Sequence, residues 1–392
     1  MARNCRPSPS APIPGPSSPT TAKRSTTWSR QTRIDPNSDR QLPSPPPGNA
    51  PPMPNAMMRI LLALLTLGIC ASAKDAGLPE TMLACQRQSG GWPKNYDRTR
   101  KLSSSQQRDL RRQRSQDDAT IDNGATHTEI HLLAEAFTRT ADPRFEKAIL
   151  DGIDYLLDGQ MHNGGWPQQF PGGRGYATQI TFNDNAMIGV MDLLKNIADG
   201  HPSFSFVPGR TRRECAEAVE RGIACILKCQ VVVDGIPTTW CAQHDRRTLR
   251  PCHARSYELP SLSGSESVGI VRFLMRIEKP DENIIRAIES AIAWFKQSQL
   301  TGLRLKRLAD KSKPNGFDYA VVKDPGAPPL WARFYDLRSN QPIFCGRDGV
   351  PKKSLAGIPH ERRTGYSWLG HYAQDLLARD LPRWRQQRGR KP

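Results

Sequence analysis

Gly90-Gly91-Trp92-Pro93 recurs as Gly164-Gly165-Trp166-Pro167, and a reduced copy, Thr239-Trp240-Cys241, follows at the same interval. Each copy lies just after a helix-like run that ends in Gln: Cys85-Gln86, Gly159-Gln160 and Cys229-Gln230. Beyond the first two copies an Asp-Asn pair opens an apolar helical run, Asp122-Asn123 and then Asp184-Asn185. The third leads to Gly264-Ser265-Glu266-Ser267, and Ser298-Gln299 is a degraded fourth beat. Fixed-period self-similarity marks a repeated supersecondary unit whose copies bury their apolar faces on one another.

The runs around these beats carry helical periodicity. Ile130, Leu133, Ala134 and Phe137 fall at i, i+3, i+4, i+7, as do Met187, Val190, Met191 and Leu194, and Ile270, Phe273, Leu274 and Ile277. Partner helices are expected over Pro143–Leu157, Arg212–Lys228 and Glu282–Lys296, with a last helix from Tyr366 to Leu377. Thr126-x-x-Glu129 and Ser263-x-x-Glu266 have the form of capping boxes, and Asp184 is placed to cap the helix after it. Short strands are expected around Arg333–Leu337 and Pro342–Cys345. Helical hairpins of this length suit a mainly α fold, a closed α/α toroid with the connecting loops gathered at one end. Loops on a rigid scaffold are where function concentrates.

The 392 residues carry a formal net charge of +18. Residues 1–56, rich in Pro, Ser and Arg, cannot bury a core and read as a disordered extension or as sequence upstream of the true start. Met57-Met58-Arg59, the apolar run Ile60 to Ala71 and Ala71-Ser72-Ala73 then form a secretory signal peptide, 57–73, too short in its apolar part to span a bilayer. The folded domain is expected over 74–380 and a basic tail over 381–392. A basic balance implies an anionic partner. No nucleic-acid-binding motif accompanies it, so for an exported protein the expected partner is an acidic polysaccharide, with no nucleic acid, no membrane span and a monomeric state. Past residue 73 the cysteines are Cys85, Cys215, Cys225, Cys229, Cys241, Cys252 and Cys345, an odd number that leaves at least one thiol over in any disulfide scheme. Their spacing fits no zinc motif.

Carboxylate and amide oxygens are hard ligands that suit calcium. Two Asp-Asn pairs on successive repeats therefore make Asp122, Asp184 and Asn185 candidate calcium ligands, and the plainer reading is that both aspartates only cap helices.

Six segments together resemble the motifs of polysaccharide lyase family 10 pectate lyases: Gly90 to Tyr96, Thr120 to Glu129, Thr181 to Met187, Tyr257 to Ser267, Trp331 to Asp336 and Phe344 to Gly349. The resemblance covers residues 80–378. It implies an (α/α)3 toroid with a cleft, and cleavage of polygalacturonate by calcium-assisted β-elimination to 4,5-unsaturated oligogalacturonides. It implies further that Asp184 ligates calcium, with Asp122 and Asn123 beside it in the catalytic cleft. Arg255 matches the family's catalytic Arg, assigned there as the base, while Arg333 and Arg347 match residues that bind substrate carboxylates. Tyr257, Trp92 and Trp166 are candidate cleft-lining aromatics, though Gly-Trp-Pro reads as well as a packed turn.

An arginine base is physically awkward, because its pKa exceeds 12. Either its surroundings lower that pKa, or a small neutral fraction reacts at alkaline pH, or Arg255 only stabilises the enolate. His127, His131, His244 and His253 are the conventional candidates for a base. Two other readings remain: a toroidal glycoside hydrolase using Asp122 and Asp184 as acid and base, and a non-catalytic binder of acidic polymers.

Overall fold

The structure, a computed structural model, describes residues 78–389. The expected leader and signal segment lie outside the described residues. Ten α-helices are present among them: α1 Leu78–Cys85, α2 Ser104–Arg112, α3 His127–Thr140, α4 Pro143–Asp158, α5 Ala186–Ala198, α6 Gly209–Cys229, α7 Glu266–Met275, α8 Glu282–Gln297, α9 His360–Thr364 and α10 Leu381–Gly389. The repeat expected from the Trp turns is realised as three antiparallel hairpins, α3/α4, α5/α6 and α7/α8. One row of helices is α3, α5 and α7, and the other is α4, α6 and α8, each packed on its neighbours in the row. This is the α/α toroid class.

The repeated residues staple one hairpin to the next. Gln86 Nε2 donates to Gly90 O in its own turn and to Ala148 O in α4, both at 2.8 Å. Gln160 does the same to Gly164 O and Ala218 O, and Gln230 to Thr238 O and Ala287 O. Each Trp is fully buried, and its indole N–H donates to a carbonyl of the element behind it: Trp92 to Met82, Trp166 to Leu156 and Trp240 to Ile226. The fourth beat reappears at Trp331, whose Nε1 donates to Phe295 O. Gly90 and Gly164 both have positive φ and lie so close to the neighbouring outer helix that a Cβ would fall 2.1 Å from Asp151 O or 2.0 Å from Arg221 O. A side chain there would push the hairpins apart.

Three local expectations are corrected. Thr126 does not cap α3: its Oγ1 accepts from Trp92 N and donates to Thr120 O, serving the Trp turn instead. Asp184 makes no capping bond to α5 either. The helix expected from Tyr366 is displaced, because Leu369–Gly370 pairs as a strand with Trp331–Ala332; helix begins only past it, wound as a π-helix over Leu376–Asp380, and continues into α10, whose Leu381 and Trp384 are buried. The longest strands, Leu303–Ala309 and Phe317–Lys323, form an antiparallel hairpin that the sequence did not suggest, since both strands are exposed or half-buried throughout and carry no fully buried apolar face. The other strands are two-residue pairings at the loop end, including Leu262–Ser263 with Phe334–Tyr335, as expected in part from the Arg333–Leu337 region. Among the described residues all seven cysteines are free thiols.

Candidate active site

Register between the repeats is set by one backbone bond. The N–H of Thr120 donates to Trp92 O, that of Thr181 to Trp166 O, and that of Ser263 to Trp240 O. Counting from these anchors, Asp122 matches Asn183, while Asn123, Asp184 and Glu266 occupy one equivalent step. The sequence pairing of Asp122 with Asp184 is therefore off by one residue. Asn123 and Asp184 confirm the shift, with φ of 52° and 49°. Asn and Asp are the side-chain-bearing residues that tolerate this left-handed conformation best. The turn at Asp122–Gly124 packs on the turn at Asn183–Asn185, which packs on α7, so three successive repeats meet at one end.

Arg333 joins them. Its backbone N–H donates to Trp368 O, and its own carbonyl accepts from Gly264 N, so the residue is sewn between two loops. Nη2 of its guanidinium donates to Asp184 Oδ1 at 2.8 Å, to Asn183 Oδ1 at 3.3 Å and to Glu266 Oε1. Burial disfavours the charged form, but the Glu266 and Asp184 charges beside it outweigh that and hold Arg333 protonated, well above its ordinary pKa. Its Nε is buried without a partner among the described residues. Asp184 keeps 40% of its side-chain surface exposed, and its second oxygen accepts from Asn183 Nδ2. Asn185 is exposed, with Oδ1 turned over Gly269 of α7.

Tyr366 carries the arrangement onward. The Arg333 guanidinium lies 4.8 Å from the centre of its ring and that of Arg255 lies 5.6 Å away. The Tyr366 hydroxyl donates to Glu258 Oε1 at 2.8 Å. Glu258, itself buried, grips Arg255 through Nε, Nη2 and the Arg255 backbone N–H. Burial alone would lower the Arg255 pKa, but the charge-assisted bonds to Glu258 override it and the net shift is upward. Arg347 stands exposed on the same side, paired with Glu361. Tyr257 is buried, with the guanidiniums of Arg362, Arg255 and Arg347 all within 5.8 Å of its ring centre. It supports the arginines from below and does not offer a free face to a sugar. Trp92 and Trp166 are likewise core residues.

Asp122 sits at the other side of the repeat junction. Its side chain is almost wholly buried, with Oδ2 accepting from Lys94 Nζ at 2.5 Å and Oδ1 from Asn123 N. Asn123 Nδ2 donates to Asn95 Oδ1. The first Trp turn therefore delivers Lys94 and Asn95 to the site. Sequence reasoning did not single out Lys94, Glu258, Glu361 or Tyr366 as site residues; Lys94 was within reach, since it directly follows Gly-Gly-Trp-Pro.

The histidines lie elsewhere in chemical terms. His244 has both ring nitrogens engaged by backbone, accepting from Cys241 N and bonding Leu249 O. His127 is buried against Gly189, and burial lowers its pKa to about 4. A cavity of about 500 Å³ beneath the 303–323 hairpin is lined mostly by apolar residues such as Leu303, Val321 and Leu355, and contains no member of the network.

Both Asp184 oxygens already accept bonds, from Arg333 Nη2 and Asn183 Nδ2, but its carboxylate stays accessible and the exposed Asn185 adds an amide oxygen beside it. That donor chemistry fits calcium in a sparse site that needs further oxygens from a ligand. Among the described residues no group of three or more His, Cys, Asp or Glu side chains converges as a preformed metal cage. Asp122 and Glu266 are each already matched to a cation.

The family model for pectic acid lyase matches residues 86–377. Two solved structures are similar over 78% of this chain. One is the Family 10 polysaccharide lyase from Cellvibrio cellulosa, 34% identical over 91% of its own length, with a TM-score of 0.67. The other is a mutant Family 10 polysaccharide lyase from the same organism in complex with trigalaturonic acid, 33% identical over 92% of its length, also with a TM-score of 0.67. No curated protein matches the chain. The family match and these two likenesses together make the chain a polysaccharide-acting lyase. The chain belongs to the pectic acid lyases, polysaccharide lyase family 10.

Proposed function

We propose that the protein is an exported pectate lyase that cleaves polygalacturonate by β-elimination in the presence of calcium. The observation that carries this reading is the row of guanidiniums, Arg333, Arg255 and Arg347, mounted on Tyr366 and Tyr257 beside the partly exposed carboxylate of Asp184. Uronate carboxylates along a polymer suit planar, bidentate cationic donors such as Arg333 and Arg347. The relative from Cellvibrio cellulosa that holds trigalaturonic acid supports the same substrate class.

In this reading the small fraction of Arg255 that has lost its proton to alkaline solvent takes the C5 proton of a galacturonate through its unclamped nitrogen and becomes the guanidinium. The electron pair forms the C4–C5 double bond, the C4–O4 bond breaks, and the departing oxygen takes a proton from solvent. Negative charge grows on the C5 carboxylate as the proton leaves. Arg333 is fixed in place before the reaction and offsets that charge without reorganising. Asp184, with Asn183 and Asn185, would hold calcium together with substrate carboxylates; bound there, the ion supplies Lewis-acid stabilisation of the same developing charge. Asp122 fixes Lys94 and the Asn123–Asn95 contact at the cleft edge and is proposed to orient substrate. Arg347 exchanges its exposed Glu361 partner for a substrate carboxylate, a swap between weak surface pairs.

A hydrolase would need one carboxyl kept protonated and another free to activate water. Asp122 and Asp184 are instead each tied to a cation, which opposes that division of labour. We further propose that residues 57–73 direct export, that the mature chain begins near residue 74, and that it acts as a monomer. No described helix is long and apolar enough to cross a membrane. The test is incubation with polygalacturonate: an ultraviolet-absorbing unsaturated product supports elimination, whereas saturated ends would establish hydrolysis.

A further inference from the structure

Arg255 makes every one of its side-chain hydrogen bonds to a single partner, and that partner has not been assigned a role. Glu258 Oε2 accepts from Nε at 2.7 Å and from the Arg255 backbone N–H at 3.0 Å, while Oε1 accepts from Nη2. The backbone closes the same turn, since Glu258 N donates to Arg255 O. Oε1 accepts a further bond from the Tyr366 hydroxyl, which fixes the carboxylate plane. Glu258 is only 5% exposed, while the Arg255 side chain keeps 41% of its surface open. Nη1 is thus the one guanidinium nitrogen without a protein partner among the described residues.

Resting on the elimination mechanism above, we propose that Glu258 is the positioning residue for Arg255: it clamps the Nε–Nη2 edge so that Nη1 alone is presented to the C5 proton. A bidentate fork of this kind fixes the guanidinium plane as well as its position. The charged and titratable groups facing Arg255 are Glu258, Tyr257, Tyr366 and the more distant Arg347. Of these only Glu258 opposes loss of the Arg255 proton through direct bonds. Glu258 therefore sets both where the nitrogen points and how alkaline the solution must be before it can accept a proton.

The test is Glu258→Gln, which keeps the volume and one acceptor oxygen, with Tyr366→Phe as a second variant that removes only the bond bracing the carboxylate. Turnover on polygalacturonate is measured from neutral to strongly alkaline pH, with a thermal melt of each variant. For Glu258→Gln kcat at any one alkaline pH is expected to fall about tenfold with KM within about twofold, the loss from misplacing the reacting group outweighing the gain in its neutral fraction. Its profile is expected to shift as well, bending toward a plateau about one pH unit or more below where the wild type would, because an opposite charge beside the guanidinium has gone. Tyr366→Phe shifts kcat in the same direction by less. A product-free wild type would defeat the elimination mechanism itself. An active wild type with unchanged kcat in Glu258→Gln, or with a loss that leaves the profile unshifted, overturns the positioning role alone.

Discussion

Replacing Arg333 by Met separates two salt bridges that look alike and are not. The Arg333 and Glu266 side chains keep 9% and 1% of their surface exposed, while Asp184 keeps 40%. The Asp184 pair is screened by water and contributes well under about 1 kcal/mol. The Glu266 pair is buried, and removing its cation strands a carboxylate whose remaining bonds come from Ser263 Oγ. Breaking a buried pair in this one-sided way costs about 3–5 kcal/mol. For a domain of this size that corresponds to a fall in Tm of about 10 °C. Denaturant unfolding of Arg333→Met should show a lower midpoint with an unchanged m-value. Adding Glu266→Gln should restore most of the loss, because the stranded charge is gone, while Asp184→Ala alone should stay within about 1 kcal/mol of wild type. If Arg333→Met unfolds within about 1 kcal/mol of wild type, or if Glu266→Gln deepens the loss, the reasoning from burial is wrong.

Three further outcomes are expected. Because Glu258 holds the Arg255 pKa above its ordinary value, log kcat should climb with a slope of about one through the alkaline range, with no plateau near neutrality; a flat profile would mean Arg255 acts as a cation and not as the base. Burial lowers the pKa of both His127 and His244 from 6.5 to about 4. Between those values the unfolded chain binds protons that the folded one refuses, so stability should fall as pH drops through that window, by up to about 1.4 kcal/mol per pH unit for each histidine; unfolding curves that coincide at pH 6.5 and 4.5 would contradict it. Gln160→Ala removes the bonds from Nε2 to Gly164 O and Ala218 O, and those that Oε1 accepts from Arg221 of α6, costing about 1–3 kcal/mol by denaturant titration, with activity of the remaining folded protein retained.

The repeat was legible because it is structural: buried Trp, Gln and Gly must recur wherever one hairpin docks on the next. The hairpin helices followed for the same reason, since their apolar stripes face a neighbour in the row. What misled was local similarity read without tertiary anchors. Asp122-Asn123 and Asp184-Asn185 look equivalent in sequence, yet the Thr120 and Thr181 backbone bonds place Asn123 opposite Asp184. Thr126 and Asp184 match capping preferences, but the Trp turn and Arg333 compete for those side chains and win. Arg255, Arg333 and Arg347 were found through family motifs alone, since a lone arginine has no periodicity. Glu258 and Tyr366 were out of reach because their roles come from a contact between segments 108 residues apart.

The proposed elimination, assisted by calcium and carried out by Arg255 at this loop end, is tested most directly by following polygalacturonate cleavage at alkaline pH in the ultraviolet, with calcium and then with a chelator. The expected result is an absorbance rise from the C4–C5 double bond that stops when calcium is withdrawn and returns on its re-addition. Chain cleavage with saturated ends, or cleavage indifferent to chelator, would contradict it.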